Sequence, residues 1–174
     1  SARRMLGLVQ DLVQYSGLRH DHARHVKINL NTQLGHIRHN IAGLILETSA
    51  RIEAEPLPKV TGNPVQIQRL LGHLIANAIR YQPPGQTPVV TISATDLGAE
   101  YRFDIRDNGL GIAPEYATEI FEPFRRLHTW DQYEGSGMGL AICRKIVERH
   151  GGRIWAEPTQ TGACLCFTLP KVAP

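Results

Sequence analysis

The apolar positions follow a helical period at the start of the chain, where Met5, Leu8, Val9, Leu12 and Val13 recur over residues 3–16. This predicts the last turns of an amphipathic helix whose apolar partners lie elsewhere. Residues 17–28 are rich in His and charge and read as a linker. Asn29 or Asn31 caps a second helix reaching about residue 49, with Leu34, Ile37, Ile41 and Leu44 on one stripe. Arg51 to Glu55 alternates as a short strand and stops at Pro56 and Pro58. A third helix starts at Asn63 as N-cap, with Pro64 at its first position and Gln66 as capping-box partner. Its buried face is Leu70, Leu71, Leu74, Ile75, Ala78 and Ile79, and a polar stripe of Gln66, Arg69, His73, Asn77 and Arg80 runs beside it.

After Pro83-Pro84-Gly85 the period changes to two. Val89 to Ala94 and Tyr101 to Asp107 predict strands, the second with Tyr101, Phe103 and Ile105 on one face and Arg102, Asp104 and Arg106 on the other. Residues 112–134 have little periodicity beyond a turn after Pro114, a length that marks a functional or disordered loop. A fourth helix runs from Met138 to His150 and ends at Gly151-Gly152, and strands at Arg153–Ala156 and Cys164–Leu169 close the chain. This order predicts a two-layer α/β (α+β) sandwich, a mixed, mainly antiparallel sheet with three helices on one face.

Composition narrows the class. With 42% apolar and 20% charged residues the chain can build a core. Its densest apolar runs, such as Ile41 to Leu46, fall far short of the roughly 18 residues a membrane helix needs. No leader pattern is expected from the first residues, and a start at Ser1 reads as a piece cut from a longer protein. Three cysteines are too few and too uneven for a disulfide framework and fit a reducing, cytoplasmic setting. A net charge of +3 without basic runs speaks against nucleic acid but suits an anionic small ligand. Seven of the 16 glycines fall between Gly109 and Gly152, with one-residue spacing at Gly109/Gly111 and Gly135/Gly137/Gly139.

Three constellations carry possible chemistry. Asp107-Asn-Gly-Leu-Gly111 reads as a hairpin turn, or as a carboxylate at a strand end facing a pocket. Gly135-Ser-Gly-Met-Gly139-Leu, opening a helix, reads as a lid hinge or as an anion site, because free N–H groups and the helix dipole favour negative charge. It is neither a Walker loop nor a dinucleotide fingerprint. His73, Asn77 and Arg80 form a solvated stripe, or a polar wall in which an Asn oxygen meets Mg²⁺. Cys164 and Cys166 share one face of a strand, as core residues do, and no metal besides Mg²⁺ is expected.

Taken together, these segments resemble the catalytic, ATP-binding domain of sensor histidine kinases, within the superfamily of gyrase, chaperone and mismatch-repair ATPases. His73-Leu-Ile-Ala-Asn77-Ala-Ile-Arg80-Tyr81 looks like the N-box, and Asp107-Asn-Gly-Leu-Gly111 like the G1 box. Phe121-Glu-Pro-Phe124-Arg-Arg126 looks like the F-box, and Gly135-Ser136-Gly137-Met138-Gly139-Leu140 like the G2 box. RRM…DL..YS, RYQPPG and RLH resemble the phytochrome-like members. The resemblance implies a Bergerat-type fold, with residues 1–22 the end of a dimerisation helix plus linker and 23–174 the ATP-binding domain. It implies that Asn77 coordinates Mg²⁺, that Arg80 holds phosphate oxygens and that Tyr81 packs by the adenine. Asp107 would accept from the adenine amino group, with Gly109, Gly111, Ile112 and Phe124 around the base. Gly135 to Leu140 would wrap the triphosphate. Residues 112–134 would be a mobile lid, and Arg126 would reach the γ-phosphate or the partner helix. His73 and Asn77 join Arg126 as the catalytic candidates.

The resemblance further implies ATP and Mg²⁺ as ligands, with the dimerisation and phosphoacceptor helices and a response-regulator receiver domain as partners of a homodimeric parent. Three features depart from the family pattern. His73 stands where the family has Asn, and Asn63 where it often has Asp. The phosphoacceptor His is absent, since His20-Asp21 imitates its motif only in the linker. The alternative is a non-catalytic nucleotide-sensing module of the same fold.

Overall fold

In the computed structural model, residues 2–18, 24–127 and 135–172 are described. The first helix, α1 (Ala2–Gly17), is followed by β1 (Val26–Asn29), α2 (Leu30–Asn40), α3 (Ala42–Thr48), β2 (Arg51–Ala54) and β3 (Lys59–Gly62). Then come α4 (Pro64–Arg80), β4 (Val89–Asp96), β5 (Glu100–Asp107), two single 3₁₀ turns (Pro114–Tyr116 and Glu119–Phe121), α5 (Gly139–Arg149), β6 (Ile154–Glu157) and β7 (Cys164–Pro170). The main sheet has the order β2-β4-β5-β7-β6, parallel only between β2 and β4. The expected mixed, mainly antiparallel sandwich is present.

Helix α4 begins as its sequence dictates. The Asn63 side chain accepts from the N–H groups of Val65 (3.0 Å) and Gln66 (3.2 Å), and Pro64 takes the first turn, where no N–H is needed. Its apolar face meets Val90, Ile92, Phe103 and Ile105 of the sheet, with α5 alongside contributing Ile142, Ile146 and Val147. Phe103 and Phe167 stack across β5 and β7 at 4.9 Å between ring centres.

Four expectations need correction. The helix from Asn29 to about residue 49 is two helices, broken at Ile41 (φ −103°, ψ 19°). Ile41, Leu44 and Ile45, at and beyond the break, are partly buried against the core. The linker at 17–28 contains β1, which pairs antiparallel with β3. Only Ile28 and Val60 of these strands are buried hydrophobics, too few to show a period. Cys164 and Cys166 are buried but face away from the helices, because Leu165 and Phe167 take the core side of β7. Finally, α1 is not without a partner: Lys145 of α5 donates to the Tyr15 carbonyl (3.0 Å) and lies 3.9 Å above the Tyr15 ring. Its stripe of Met5, Val9, Leu12 and Val13 stays exposed. Between the two candidate caps, Asn29 caps α2, while the Asn31 amide clasps both backbone groups of Leu57 at 2.9 Å.

The C-terminus of α5 is tied to the start of α4 through His150. Its Nε2 accepts from the Asn63 N–H (3.1 Å), so its Nδ1 carries the proton and donates to Ile146 O (2.7 Å). The ring is buried and stacks on His25 at 5.0 Å. Burial holds His150 below the ordinary imidazole value of 6.5, with His25 and Arg149 adding to the effect against the bond to Ile146. A folded value below the unfolded one leaves more protons on the unfolded chain. The stabilisation is therefore intact above about pH 6.5 and is lost as pH falls from there toward the folded value. Urea midpoints are expected to drop on acidification through this window, and to drop less steeply in His150→Gln. Equal slopes would show that His150 does not carry the effect.

Among the described residues no helix is long and apolar enough to cross a membrane.

Candidate functional site

A cavity of about 250 Å³ opens where the C-terminal half of α4, the end of β5, the segment after it and the start of α5 converge. Of the residues singled out in the sequence, His73, Asn77, Arg80, Tyr81, Asp107, Gly111, Ile112, Arg126, Gly135, Ser136, Gly137, Gly139 and Leu140 line it. Gly109, Phe124 and Met138 do not. His20 and Asp21 and the last seven residues of the expected lid, 128–134, lie outside the described residues.

Asp107 ends β5 in a backbone clasp. Its N–H donates to Ala163 O (2.9 Å), and its Oδ1 accepts from the N–H groups of Ala163 (3.1 Å) and Gly109 (2.8 Å). Burial raises its pKa from the usual carboxylate value, and the two N–H donors oppose that rise. Gly109 serves the chain itself: a Cβ there would sit 2.1 Å from Tyr81 O, the carbonyl that accepts the Leu110 N–H. This close approach pins the end of β5 to the C-cap of α4. Ala78, Ile112, Ile120, Leu140 and Leu165 give the cavity its apolar lining.

A second group of lining residues is polar and mostly cationic. Arg80, Arg125 and Arg126 line the cavity, and Arg126 Nη1 donates to Gly135 O (2.8 Å) of the Gly-rich turn. Gly137 adopts φ +79°, and a Cβ there would press on the Phe124 backbone at 3.1 Å, so the exposed Phe124 supports the turn from outside the cavity. Ser136 Oγ accepts from the Met138 N–H (3.1 Å) at the start of α5. Met138 is fully buried in the core. The first 3₁₀ segment of the expected lid is exposed, whereas Ile120 and Phe121 anchor the second to the core.

On α4, Asn77 faces the cavity, and its amide makes no hydrogen bond among the described residues. His73 packs over Gly139, and burial lowers its pKa against the opposing Asp11 charge, with Arg69 and Arg80 reinforcing the shift. Sequence reading missed Asp11, Arg125, Ile120 and Ala163. Asp11, on α1, accepts from the Ser136 hydroxyl across 125 positions of sequence, a pairing no local spacing announces. Ala163 contributes backbone alone, which carries no residue signature.

A carboxylate in a backbone clasp, a Gly-rich turn into a helix N-terminus and a cluster of arginines thus surround one cavity. A family profile described as histidine kinase-, DNA gyrase B-, and HSP90-like ATPase matches residues 62–173. The chain belongs to this ATPase family. Within the family it is an ATP-binding domain of the histidine-kinase kind. It is 46% identical over 142 residues to Cyanobacterial phytochrome A of Nostoc sp. PCC 7120, covering 81% of this chain and 18% of that protein. It is 34% identical to the phytochrome-like protein Cph1 of Synechocystis sp. PCC 6803, covering 95% of this chain and 22% of that one. The nucleotide-free catalytic domain of histidine kinase ThkA superposes with a TM-score of 0.72 at 27% identity, over 86% of this chain and 97% of that domain. The chain spans about a fifth of the length of these curated relatives.

Proposed function

We propose that this ATPase-family domain is the catalytic domain of a two-component sensor histidine kinase. In this reading it binds Mg²⁺-ATP and donates the γ-phosphoryl group to a histidine on a dimerisation helix pair. The observation that carries the reading is one cavity lined by Asp107 and apolar side chains together with Arg80, Arg126 and glycines of the Gly135–Gly139 turn. An adenine needs an acceptor and flat apolar walls, and a triphosphate needs N–H groups and cations.

Asp107 accepts from the adenine amino group through the oxygen its clasp does not use, and Tyr81 and Ile112 flank the base. Arg80 and the N–H groups at the start of α5 hold phosphate oxygens. Arg126 reaches the terminal phosphate or the acceptor helix. Asn77 fits Mg²⁺, since it lines the cavity, its amide oxygen is a hard donor with no hydrogen bond among the described residues, and Mg²⁺ keeps most of its waters. Bound there, Mg²⁺ neutralises charge on the phosphates. Catalysis by the chain's own residues is then positioning and charge stabilisation, which is most of what phosphoryl transfer requires. In this reading α1 is the end of a dimerisation helix, the parent is a cytoplasmic-facing homodimer, and a response-regulator receiver takes the phosphoryl group onward.

The test joins the chain to a complete dimerisation helix pair and supplies ATP labelled in the γ-phosphate. Label is expected on the helix pair as an acid-labile, base-stable phosphohistidine. Intact ATP binding without any transfer would replace kinase catalysis by nucleotide sensing, with His73 as the residue that separates the two.

A further inference from the structure

The face of the sheet turned away from the nucleotide cavity carries a cluster that ATP chemistry does not use. Strand register sets Asp104 of β5 beside Cys166 of β7, Cys166 beside Trp155 of β6, and Cys164 between Arg106 and Glu157. Cys164 and Cys166 are fully buried, with their sulfurs 3.5 Å apart. Both sulfurs and a carboxylate oxygen of Asp104 lie within 4.8 Å of one another. The cluster already holds a cation: Arg102 donates to Asp104 (2.9 Å), to Glu157 (3.1 Å) and to Cys166 Sγ (3.4 Å), with its guanidinium 5.2 Å from the centre of the Trp155 ring.

A disulfide suits this pair poorly. Two residues apart on an extended strand, Cα atoms sit about 6.7 Å from each other, at the far limit of disulfide geometry. The sulfur spacing is close to that of two thiolates on one tetrahedral ion, about 3.8 Å for metal–sulfur bonds of about 2.3 Å.

We propose that Cys164, Cys166 and Asp104 form a binding site for a thiophilic divalent cation of the zinc class. The two sulfurs and the carboxylate supply three ligands, and water supplies a fourth from the side of Arg102. Arg102, whose side chain is 28% exposed, swings off Asp104 and Cys166 as the ion enters and keeps Glu157 and Trp155. Each thiol gives its proton to solvent on ligation, so affinity falls with pH. The spacing of the cysteines alone does not point here, because the third ligand comes from the neighbouring strand.

Cd²⁺, which reports thiolate ligation by an ultraviolet charge-transfer band, is the probe for the intact chain. The band is expected to saturate at one equivalent and to be displaced by Zn²⁺. Cys164→Ser and Cys166→Ser each lower affinity about tenfold or more, the double variant loses the band, and Cys143→Ser keeps it. Asp104→Asn retains both thiols and also weakens binding about tenfold. A wild-type chain without a saturable band, or a band surviving in the double variant, overturns the proposal. Should the serine variants fail to fold, wild-type melting decides: Zn²⁺ raises the melting temperature if the site exists, and an unchanged temperature refutes it.

Discussion

Replacing Asp107 by Asn is expected to lower ATP affinity by about 100-fold or more while leaving the fold intact. The clasp explains both halves of this result. Oδ1 of residue 107 is committed to the N–H groups of Gly109 and Ala163, so an asparagine there keeps its oxygen on those donors. Its amide nitrogen then takes the position of Oδ2 and presents a donor to the donor amino group of adenine. The loss combines a hydrogen bond to a charged acceptor, worth about 1.5–3 kcal/mol, with an unpaired donor buried against another. At about 1.4 kcal/mol per decade this gives about two decades. Stability runs the other way. Burial raises the Asp107 pKa, which means the ionised form costs the folded state free energy, and a neutral amide removes that cost. Calorimetric titration with ATP and a melting curve on the same variant check the two effects together. Acidification mimics the substitution: wild-type affinity falls as Asp107 takes up a proton, at a pH above that of an ordinary aspartate, whereas Asp107→Asn shows no such step. Guanine presents a carbonyl where adenine presents its amino group, so the variant also loses its discrimination against GTP. Unchanged ATP affinity would remove Asp107 from the base site.

The elements that were legible are those whose local sequence over-determines them. Helix α4 has its cap, its proline and an unbroken apolar face, and β5 alternates over its whole length. Both bring side chains to the cavity: His73, Asn77, Arg80 and Asp107, which the family resemblance singles out, line it. Strands β1 and β3 were illegible because four residues with one or two inward positions carry no period. The break at Ile41 was illegible because the apolar stripe of Leu34, Ile37, Ile41 and Leu44 continues through it. In the site, the glycines were legible as a group but not by task. Gly109 lets β5 approach the α4 C-cap, while Gly111, Gly135, Gly137 and Gly139 border the cavity. Met138 sits among them in sequence and yet fills the core, because the first turn of α5 points it inward. Asp11 enters the cavity only because α1 packs on α5, a tertiary fact with no local signature.

Asn77→Ala is expected to abolish the Mg²⁺ dependence of ATP binding and to slow phosphoryl transfer by about 1,000-fold, the scale of losing one group that stabilises transition-state charge. The substitution is unusually clean. Asn77 is half-buried, sits in the interior of α4 and spends no side-chain hydrogen bond on the fold among the described residues. Alanine has the higher helix propensity, by about half a kcal/mol, so the variant melts at or slightly above the wild-type temperature. A loss of function in a chain of undiminished stability then belongs to the ligand and not to packing. The distinguishing measurement compares ATP affinity in Mg²⁺ and in excess chelator. Wild type is expected to bind more tightly with Mg²⁺, which the Asn77 oxygen would help to hold; Asn77→Ala is expected to bind equally in both, since the proposed adenine contact at Asp107 is untouched. A variant that keeps its Mg²⁺ dependence would move the metal contact elsewhere on the cavity wall. His73, one turn earlier and packed on Gly139, would not inherit it, because Mg²⁺ prefers oxygen donors to imidazole nitrogen.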